Sequence, residues 1–374
     1  MDTRFPDGHE LTLSRASGRY AFLTRDGLVS KTTVRPAETA LVETLGDADG
    51  DAVVLGADFG VVPTLLARET GCRPTAVTTS ARAADCCRVN ADRNDAAVGV
   101  TLDAWVPVER ADHLLYAPAD AVPAAVARER LARGVAATAA GGTVAVAAPD
   151  PDGVAPFRAV FDRCCRGVTR ERVGDATVLS GRRADGDPET GLEPNSFRAT
   201  VGEYTCRFLT LPGLFSWRGV DDGTAALLEA VSVADGDRVL DLACGYGAVG
   251  AFVGARTDCR LYATDDDALA TRFARRNYER NGVDPQTVVT ADGLDGFDDE
   301  SFDTVVANPP THAGSGVTRK LFAGVADRLT PDGAFWLVYN EVMGYDYTLR
   351  TEYDLAVDVV AASEGFEVAV ARPN

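Results

Sequence analysis

Lysine is almost absent from this chain. Only Lys31 and Lys320 occur among 37 basic residues, against 56 acidic residues, and the net charge is −19. Such a charge repels itself at low ionic strength, and salt screens that repulsion. The composition therefore predicts a halophilic protein, with a drift towards Asp and Arg as the alternative. It does not exclude a nucleic-acid substrate, because shape and base contacts gain importance when salt weakens phosphate contacts.

The chain also lacks a C-x-x-C pair, has only three histidines, and has no apolar run long enough for a membrane helix. Zinc sites need clustered Cys and His side chains, and a signal peptide needs an apolar segment near the N-terminus. The first residues are instead charged from Asp2 onwards. We therefore predict a cytoplasmic monomer without metal, membrane span or signal peptide, whose eight cysteines are reduced thiols.

An internal repeat covers most of the chain. Segment 51–60 (DAVVLGADFG) resembles segment 238–247 (RVLDLACGYG) at an offset of 187 residues (238 − 51), which also aligns Asn90 with Asn277 (277 − 90). Further on, 111–118 resembles 302–309 at an offset of 191 (302 − 111), so the second copy carries a four-residue insertion (191 − 187). A repeat of this length predicts duplication of a whole domain, not a solenoid.

Apolar strands alternate with amphipathic helices in each copy, which predicts βαβ units and a mostly parallel α/β sheet covered on both faces. The predicted elements of the first copy are a helix at 36–45, strands at 52–56 and 74–78, and helices near 61–70 and 80–94. A polar segment rich in Gly and Pro, 181–195, predicts a linker. We expect a first domain at 1–184, a linker at 185–195 and a second domain at 196–374.

Polar residues follow the strands of the second copy, where an open α/β sheet binds its ligand. In the segment 241–247 (DLACGYG), small residues allow close backbone approach and the next helix offers free N–H groups. Asp265 could accept both hydroxyls of a ribose, and Asp292 could accept from an adenine amino group. The predicted cofactor-binding residues are Asp241, Ala243, Cys244, Gly245, Gly247, Asp265, Asp266, Asp292, Gly293 and Asn308.

The same segment satisfies a dinucleotide fingerprint, because Gly245, Gly247 and Gly250 follow a strand and Asp265 lies 20 residues on (265 − 245). Two features favour S-adenosylmethionine over NAD. Asp241 would repel a pyrophosphate but could hold a methionine ammonium or a bridging water. A dehydrogenase, moreover, has no use for an Asn-Pro-Pro turn at the fourth strand.

That turn, Asn308-Pro309-Pro310, predicts the reaction. Two prolines can neither extend a strand ladder nor enter a helix interior, so the backbone is stiff there. The Asn308 side-chain oxygen and the Pro309 carbonyl could accept both N–H bonds of a planar amine and direct its lone pair at a methyl donor. Phe215, Thr311 and His312 are predicted substrate contacts, although His312 could instead cap the loop.

The first copy lacks these groups. At the positions of Asp241, Gly245, Asp265 and Asn308 it has Val54, Asp58, Thr78 and Ala117, respectively. Because the strand pattern is kept while the site residues are replaced, we expect a structural or substrate-binding domain without a cofactor site.

The chain resembles the class I methyltransferases of the RsmC/RlmG type. The resemblance is carried by segments 211–216 (LPGLFS), 219–224 (GVDDGT), 241–247 and 308–312 (NPPTH). It implies two tandem Rossmann-like domains with seven-stranded sheets, the first degenerate and the second catalytic. It also implies guanine N2 of ribosomal RNA as acceptor, with ribosomal RNA or a ribosomal subunit as partner.

The resemblance departs from the family pattern at Thr311, where an aromatic residue is usual, and at Ala243, where glycine is usual. Asn-Pro-Pro also occurs in methyltransferases for adenine N6, glutamine N5 and transfer-RNA guanine N2. The motif therefore indicates a planar NH2 group, and transfer RNA, a protein glutamine or a small molecule stays open as acceptor. A non-catalytic RNA-binding assembly factor is the alternative from another class.

Overall fold

The computed structural model describes residues 7–107, 110–297, 299–363 and 365–374. The chain divides into two compact units, Met1–Glu193 and Pro194–Asn374. The stretch between the two strands is shorter than the polar segment 181–195, because one strand continues to Arg183 and the next begins at Asn195. No helix within the described ranges is long and apolar enough to cross a membrane.

The first unit is a seven-stranded sheet with a two-stranded antiparallel hairpin before it. Its strands are β1 His9–Arg15, β2 Gly18–Thr24, β3 Asp49–Leu55, β4 Gly71–Thr78, β5 Gly99–Leu102, β6 Ala111–Tyr116, β7 Thr138–Ala148, β8 Cys165–Val173 and β9 Ala176–Arg183. Its helices are α1 Pro36–Leu45, α2 Val61–Glu69, α3 Ala81–Arg93, α4 Ala124–Ala136, α5 Pro151–Val154 and α6 Arg158–Cys164.

The second unit has the same construction. Its strands are β10 Asn195–Val201, β11 Tyr204–Thr210, β12 Arg238–Leu242, β13 Arg260–Asp265, β14 Thr287–Thr290, β15 Phe302–Ala307, β16 Leu329–Tyr339, β17 Leu355–Ser363 and β18 Phe366–Pro373. Its helices are α7 Asp222–Ala230, α8 Ala248–Arg256, α9 Ala268–Arg280, α10 Ser315–Arg328 and α11 Tyr345–Glu352.

Strand order is the same in both large sheets: β5-β4-β3-β6-β7-β9-β8 in the first and β14-β13-β12-β15-β16-β18-β17 in the second. In the described part of each large sheet one strand, β9 or β18, runs opposite to the other six. The predicted α/β class with two mostly parallel seven-stranded sheets is therefore confirmed.

The apolar runs that predicted the central strands are explained by burial on both faces. Successive side chains of a strand point to opposite faces. Ala52 and Val54 of β3 pack into the core that contains α1 and α2, while Val53 and Leu55 pack into the core that contains α4. A strand covered on both faces has no polar side, and so it lacks the alternation of a half-exposed strand.

One buried asparagine in each unit ties the hairpin to the loop after the first strand of the large sheet. Asn277, fully buried in α9, accepts from the Leu209 N–H at 2.7 Å and donates to the Leu209 carbonyl at 2.9 Å. It also donates to the Tyr246 carbonyl at 2.8 Å. Asn90 makes the same three bonds in the first unit, at 2.6, 2.7 and 2.7 Å. The asparagine repeat is thus a structural clamp common to both domains.

We expect Asn277→Ala to lower the free energy of unfolding by about 3 kcal/mol, because it leaves the buried Tyr246 carbonyl and the partly buried backbone of Leu209 without partners. Thermal and denaturant unfolding of the full chain would measure the loss. Asn281→Ala is the matched control, since this half-buried asparagine binds the backbone of Arg207 in the same way and its partners can turn to water. Equal losses for the two variants would contradict the role of the buried clamp.

Candidate active site

The predicted site residues of the second domain meet at one edge of the sheet. Asp241 lies in β12, Asp265 ends β13 and Asn308 directly follows β15. Asp292 lies two residues after the end of β14. These four strands are neighbours and parallel, in the order β14-β13-β12-β15, so their carboxyl ends line one cleft.

The loop between β12 and α8 keeps a left-handed backbone at positions 243 and 245. Ala243 has φ 56° and Gly245 has φ 55°. A side chain at such a φ is strained, which explains why glycine is usual at position 243. In the first domain the corresponding residues, Gly56 and Asp58, have φ 59° and 47°. The loop shape is therefore common to both domains, although the strained non-glycine residue is Ala243 in the second domain and Asp58 in the first.

Glycine occurs at positions 245 and 247 of this loop for different physical reasons. A Cβ added to Gly245 would meet no heavy atom within 4 Å, so the backbone faces open space, as close approach of a cofactor requires. A Cβ on Gly247 would lie 2.9 Å from Cε1 of Tyr278 and 3.0 Å from Cα of Ala274. Position 247 thus needs glycine because α8 packs closely on α9, a requirement that sequence reasoning had assigned to the ligand.

Asp241 is buried beneath the loop. Its Oδ2 accepts from the Gly250 N–H at 2.7 Å and from the Tyr278 hydroxyl at 3.0 Å. Burial raises the pKa of this carboxyl to about 6. One oxygen therefore anchors the first turn of α8, and contact with a methionine ammonium stays a prediction. Sequence reasoning missed Tyr278.

Asp265 is held in position by backbone N–H groups on both of its oxygens. Oδ2 accepts from Gly245 at 2.8 Å and Oδ1 accepts from Asp267 at 2.9 Å. Burial raises the pKa of Asp265 to about 7, although these two hydrogen bonds lower it. The neighbouring Asp266 is half-buried. A carboxylate fixed in this way at a strand end is suited to accept ribose hydroxyls.

Asp292 forms an ion pair with one of the two lysines. The Lys320 ammonium lies 2.8 Å from Oδ2 of Asp292 and 2.6 Å from Oδ2 of Asp295. Asp292 is only 4% exposed. Lys320 is the sixth residue of α10, so this helix brings the ammonium to the two acids.

Asn308 is oriented by a residue from α7. Its Nδ2 donates to Oγ1 of Thr224 at 2.9 Å, across 84 residues of sequence. Thr224 is buried, and its own N–H donates to Oδ1 of Asp221, the N-cap of α7, at 3.1 Å. With its NH2 group engaged, Asn308 can present Oδ1 as an acceptor. Pro309 is buried and Pro310 is exposed.

The predicted substrate residues are accessible. Phe215 exposes 62% of its surface, which is unusual for a large apolar side chain, and His312 is also exposed. Thr311 is half-buried. An exposed aromatic side chain can stack on a base.

The remaining predicted residues have structural surroundings. Cys244 is buried, and burial raises the pKa of its thiol far above the ordinary value, so it is a poor nucleophile. The Gly293 carbonyl accepts from the Thr264 hydroxyl at 3.1 Å. No group of three His, Cys, Asp or Glu side chains in the described part of the chain could hold a metal ion.

The strand order and the residues at the strand ends define the class I methyltransferase fold. Residues 205–370 match the family model of the methyltransferase small domain. Ribosomal RNA large subunit methyltransferase G of Streptomyces avermitilis is 30% identical over 343 residues, 85% of this chain and 86% of that protein. Its homologue in Streptomyces coelicolor is 32% identical with 85% and 87% coverage. The chain belongs to the family of ribosomal RNA methyltransferases C and G.

Two further proteins resemble this chain over different shares of their length. Ribosomal RNA small subunit methyltransferase C of Pseudomonas aeruginosa is 30% identical over 195 residues, which span 51% of this chain and only 58% of that protein. A solved T. thermophilus 16S rRNA N2 methyltransferase, in complex with AdoMet and guanosine, is 22% identical. It superposes with a TM-score of 0.78 and covers 98% of both chains.

Affinity for S-adenosylmethionine should depend on the ionisation of Asp265. Only the carboxylate can accept two hydroxyls, so affinity should fall as pH drops below about 7, approaching tenfold per pH unit. Below that pH, binding should release a proton, which calorimetry in two buffers of different ionisation enthalpy detects. Asp265→Asn should bind more weakly and lose the pH dependence near neutrality. Equal affinity of the unchanged protein and Asp265→Asn near neutral pH would show that Asp265 does not hold the cofactor.

Proposed function

We propose that the second domain transfers a methyl group from S-adenosylmethionine to an exocyclic amine, guanine N2 of ribosomal RNA. The observation that carries the proposal is the Asn308–Thr224 hydrogen bond at the cleft edge, which leaves the amide oxygen available to an amine. Family membership supports the nucleic-acid substrate, because the relatives are named for large- and small-subunit ribosomal RNA.

S-adenosylmethionine, when bound, supplies a methyl group activated by a sulfonium. The residues suited to hold it are Asp241, Gly245, Asp265 and Asp292, and the open space at Gly245 fits a ligand that approaches the backbone. The carboxylate of Asp265 would accept ribose hydroxyls. Asp292 would accept from the adenine amino group, with Lys320 holding that buried acid in place.

The acceptor amine needs orientation more than a strong base. Asn308 Oδ1 and the Pro309 carbonyl would accept its two N–H bonds, which raises electron density on nitrogen and fixes its plane. Because the turn is stiff, little conformational entropy is lost when the amine binds. The proton released from the methylated nitrogen would leave to these oxygens or to water, so no His or Glu is required as general base.

Thr224 is a positioning residue in this scheme. An Asn side chain can present either its oxygen or its NH2 group, and only the oxygen suits an amine. Thr224 accepts from the NH2 group, and this contact leaves Oδ1 for the acceptor. Its place in the first turn of α7 is fixed by Asp221, so the contact is part of the fold.

Asn308→Ala should lower kcat for methyl transfer to RNA by about 100-fold, because it removes an acceptor that acts on the reacting nitrogen. Thr224→Val should lower kcat about tenfold through misorientation of Asn308, and Thr224→Ser should restore it. Binding of S-adenosylmethionine should change little in the two Thr224 variants. The assay uses labelled cofactor with ribosomal RNA and with ribosomal subunits in high salt, followed by nucleoside analysis.

The same assay separates the alternatives. Label in N2-methylguanosine supports the proposal, whereas label in protein or in another nucleoside rejects the stated substrate. If Asn308→Ala retains cofactor binding and nearly full methyl transfer, the proposed role of the Asn-Pro-Pro turn is wrong. An equal loss in Thr224→Ser and Thr224→Val would assign Thr224 to packing rather than to a hydrogen bond.

We further propose that the protein is halophilic, on the basis of its net charge of −19 and its two lysines. Raising KCl from about 0.1 M to about 2 M should then raise the midpoint of thermal unfolding by several degrees, because salt screens repulsion between surface carboxylates. Most of the gain should come below about 1 M, where the screening length shortens fastest. A midpoint that falls or stays constant with added KCl would contradict this assignment.

A further inference from the structure

The first domain keeps a cavity of about 120 Å³ at the carboxyl ends of β3, β4 and β6. Gly56, Asp58 and Thr78 line it, at the positions that Ala243, Gly245 and Asp265 occupy in the second copy. The cavity is therefore the counterpart of the cofactor cleft.

The part of the first domain that corresponds to the amine-binding position is filled. The Arg35 guanidinium donates to the Ala117 carbonyl at 3.3 Å and pairs with Oε1 of the buried Glu38 at 3.2 Å. Ala117 stands where Asn308 stands in the second domain, and Glu38 is the third residue of its helix, as Thr224 is. An ion pair thus fills the amine-binding position while the cofactor side remains open.

Buried polar atoms without partners face this cavity. Asp58 is 4% exposed; its Oδ1 accepts from the Val29 N–H at 3.1 Å, and among the described residues its Oδ2 has no partner. The Tyr116 hydroxyl and Nε of Arg130 are also buried in this lining, and the Arg130 side chain lies beside that hydroxyl. Asp58 holds its carboxylate from a strained backbone, φ 47°, and burial together with Glu38 raises its pKa to about 7. Strain and unmet hydrogen bonds in one cavity point to a ligand.

The other walls favour a flat aromatic ligand. Trp105 lines the cavity, and its backbone N–H donates to Oδ1 of Asp103 at 2.9 Å. The Arg133 guanidinium lies over the indole, 4.7 Å from the ring centroid. The lining also contains the polar residues Thr79, Ser80 and Asp103, and its larger apolar side chains are Leu28, Val29, Leu55, Val77, Val106 and Val122. A volume of this size holds a single planar ring system.

We propose that this cavity binds a 6-oxopurine base of the guanine type. Its N–H edge would donate to Oδ2 of Asp58, and its O6 and N7 would accept from Arg130, the pairing that arginine makes with guanine. Its ring would stack against Trp105. The methionine part of S-adenosylmethionine is disfavoured, because Asp58 places a carboxylate where Gly245 leaves open space, and Thr78 cannot replace the ribose acceptor Asp265. The proposal is independent of methyl transfer by the second domain.

The test uses the full chain with Trp217→Phe and Trp336→Phe, which leaves Trp105 as the single tryptophan and makes its fluorescence a local probe. Guanosine and inosine should quench Trp105, and adenosine and uridine should not. A short single-stranded RNA with one unpaired guanine, beside the same RNA with adenine there, distinguishes a base within RNA from a free nucleoside. Asp58→Asn should weaken binding at least tenfold, because it replaces an unpartnered carboxylate with a neutral amide.

Asp95→Asn is the matched control, since Asp95 shares the left-handed backbone, φ 49°, but is exposed and does not line the cavity. It should bind as the parent does. Calorimetry with the parent chain, comparing Asp58→Asn and Asp95→Asn, repeats the test if the tryptophan substitutions impair folding. Quenching by either guanine source with loss in Asp58→Asn supports the proposal. No quenching, equal quenching by adenosine, or quenching by S-adenosylmethionine overturns it.

Discussion

The ligand-facing loop of each sheet depends on one buried asparagine. Asn277 holds the backbone at Tyr246, inside the loop that follows the first strand of the second sheet, and at Leu209 of the preceding hairpin. A buried backbone group that loses its partner costs more than a typical hydrogen bond contributes. Both domains retain this clamp, and both retain the left-handed loop conformation. The clamp therefore belongs to the fold, because it is present in both domains although their cleft residues differ.

The cleft residues, by contrast, differ between the two domains in pairs. Three side chains of the cleft each have one long-range partner in the second domain, and in the first domain both members of each pair are replaced. The pairs are Asp241–Tyr278, Asn308–Thr224 and Asp292–Lys320, and their counterparts are Val54–Ala91, Ala117–Glu38 and Ala104–Glu129. The buried side chains of Tyr278 and Thr224 would be left with unsatisfied hydroxyls, so loss of one member of those pairs removes the reason for the other.

This pairing shows how the missed residues could have been found. Tyr278 and Lys320 lie outside the quoted motifs, and Thr224 ends the segment 219–224 without a role assigned to it. Each of the three nevertheless changes together with its partner when the two copies of the repeat are aligned. The strand and helix pattern needed no such comparison. Helix α1 was predicted with its observed bounds, and α2 and α3 within one residue at each end, because their apolar spacing and end residues are local signals.

The sequence alone determined that this chain forms two parallel α/β sheets, and that Asp241, Asp265 and Asn308 reach the carboxyl ends of neighbouring strands. Those properties depend on short-range periodicity and on where each strand stops. Only the tertiary structure decided that Asp241 anchors α8, that Thr224 orients Asn308, and that a cavity persists beside Asp58. These depend on contacts between residues far apart in the chain, 84 residues for Asn308 and Thr224, which packing of the whole sheet brings together.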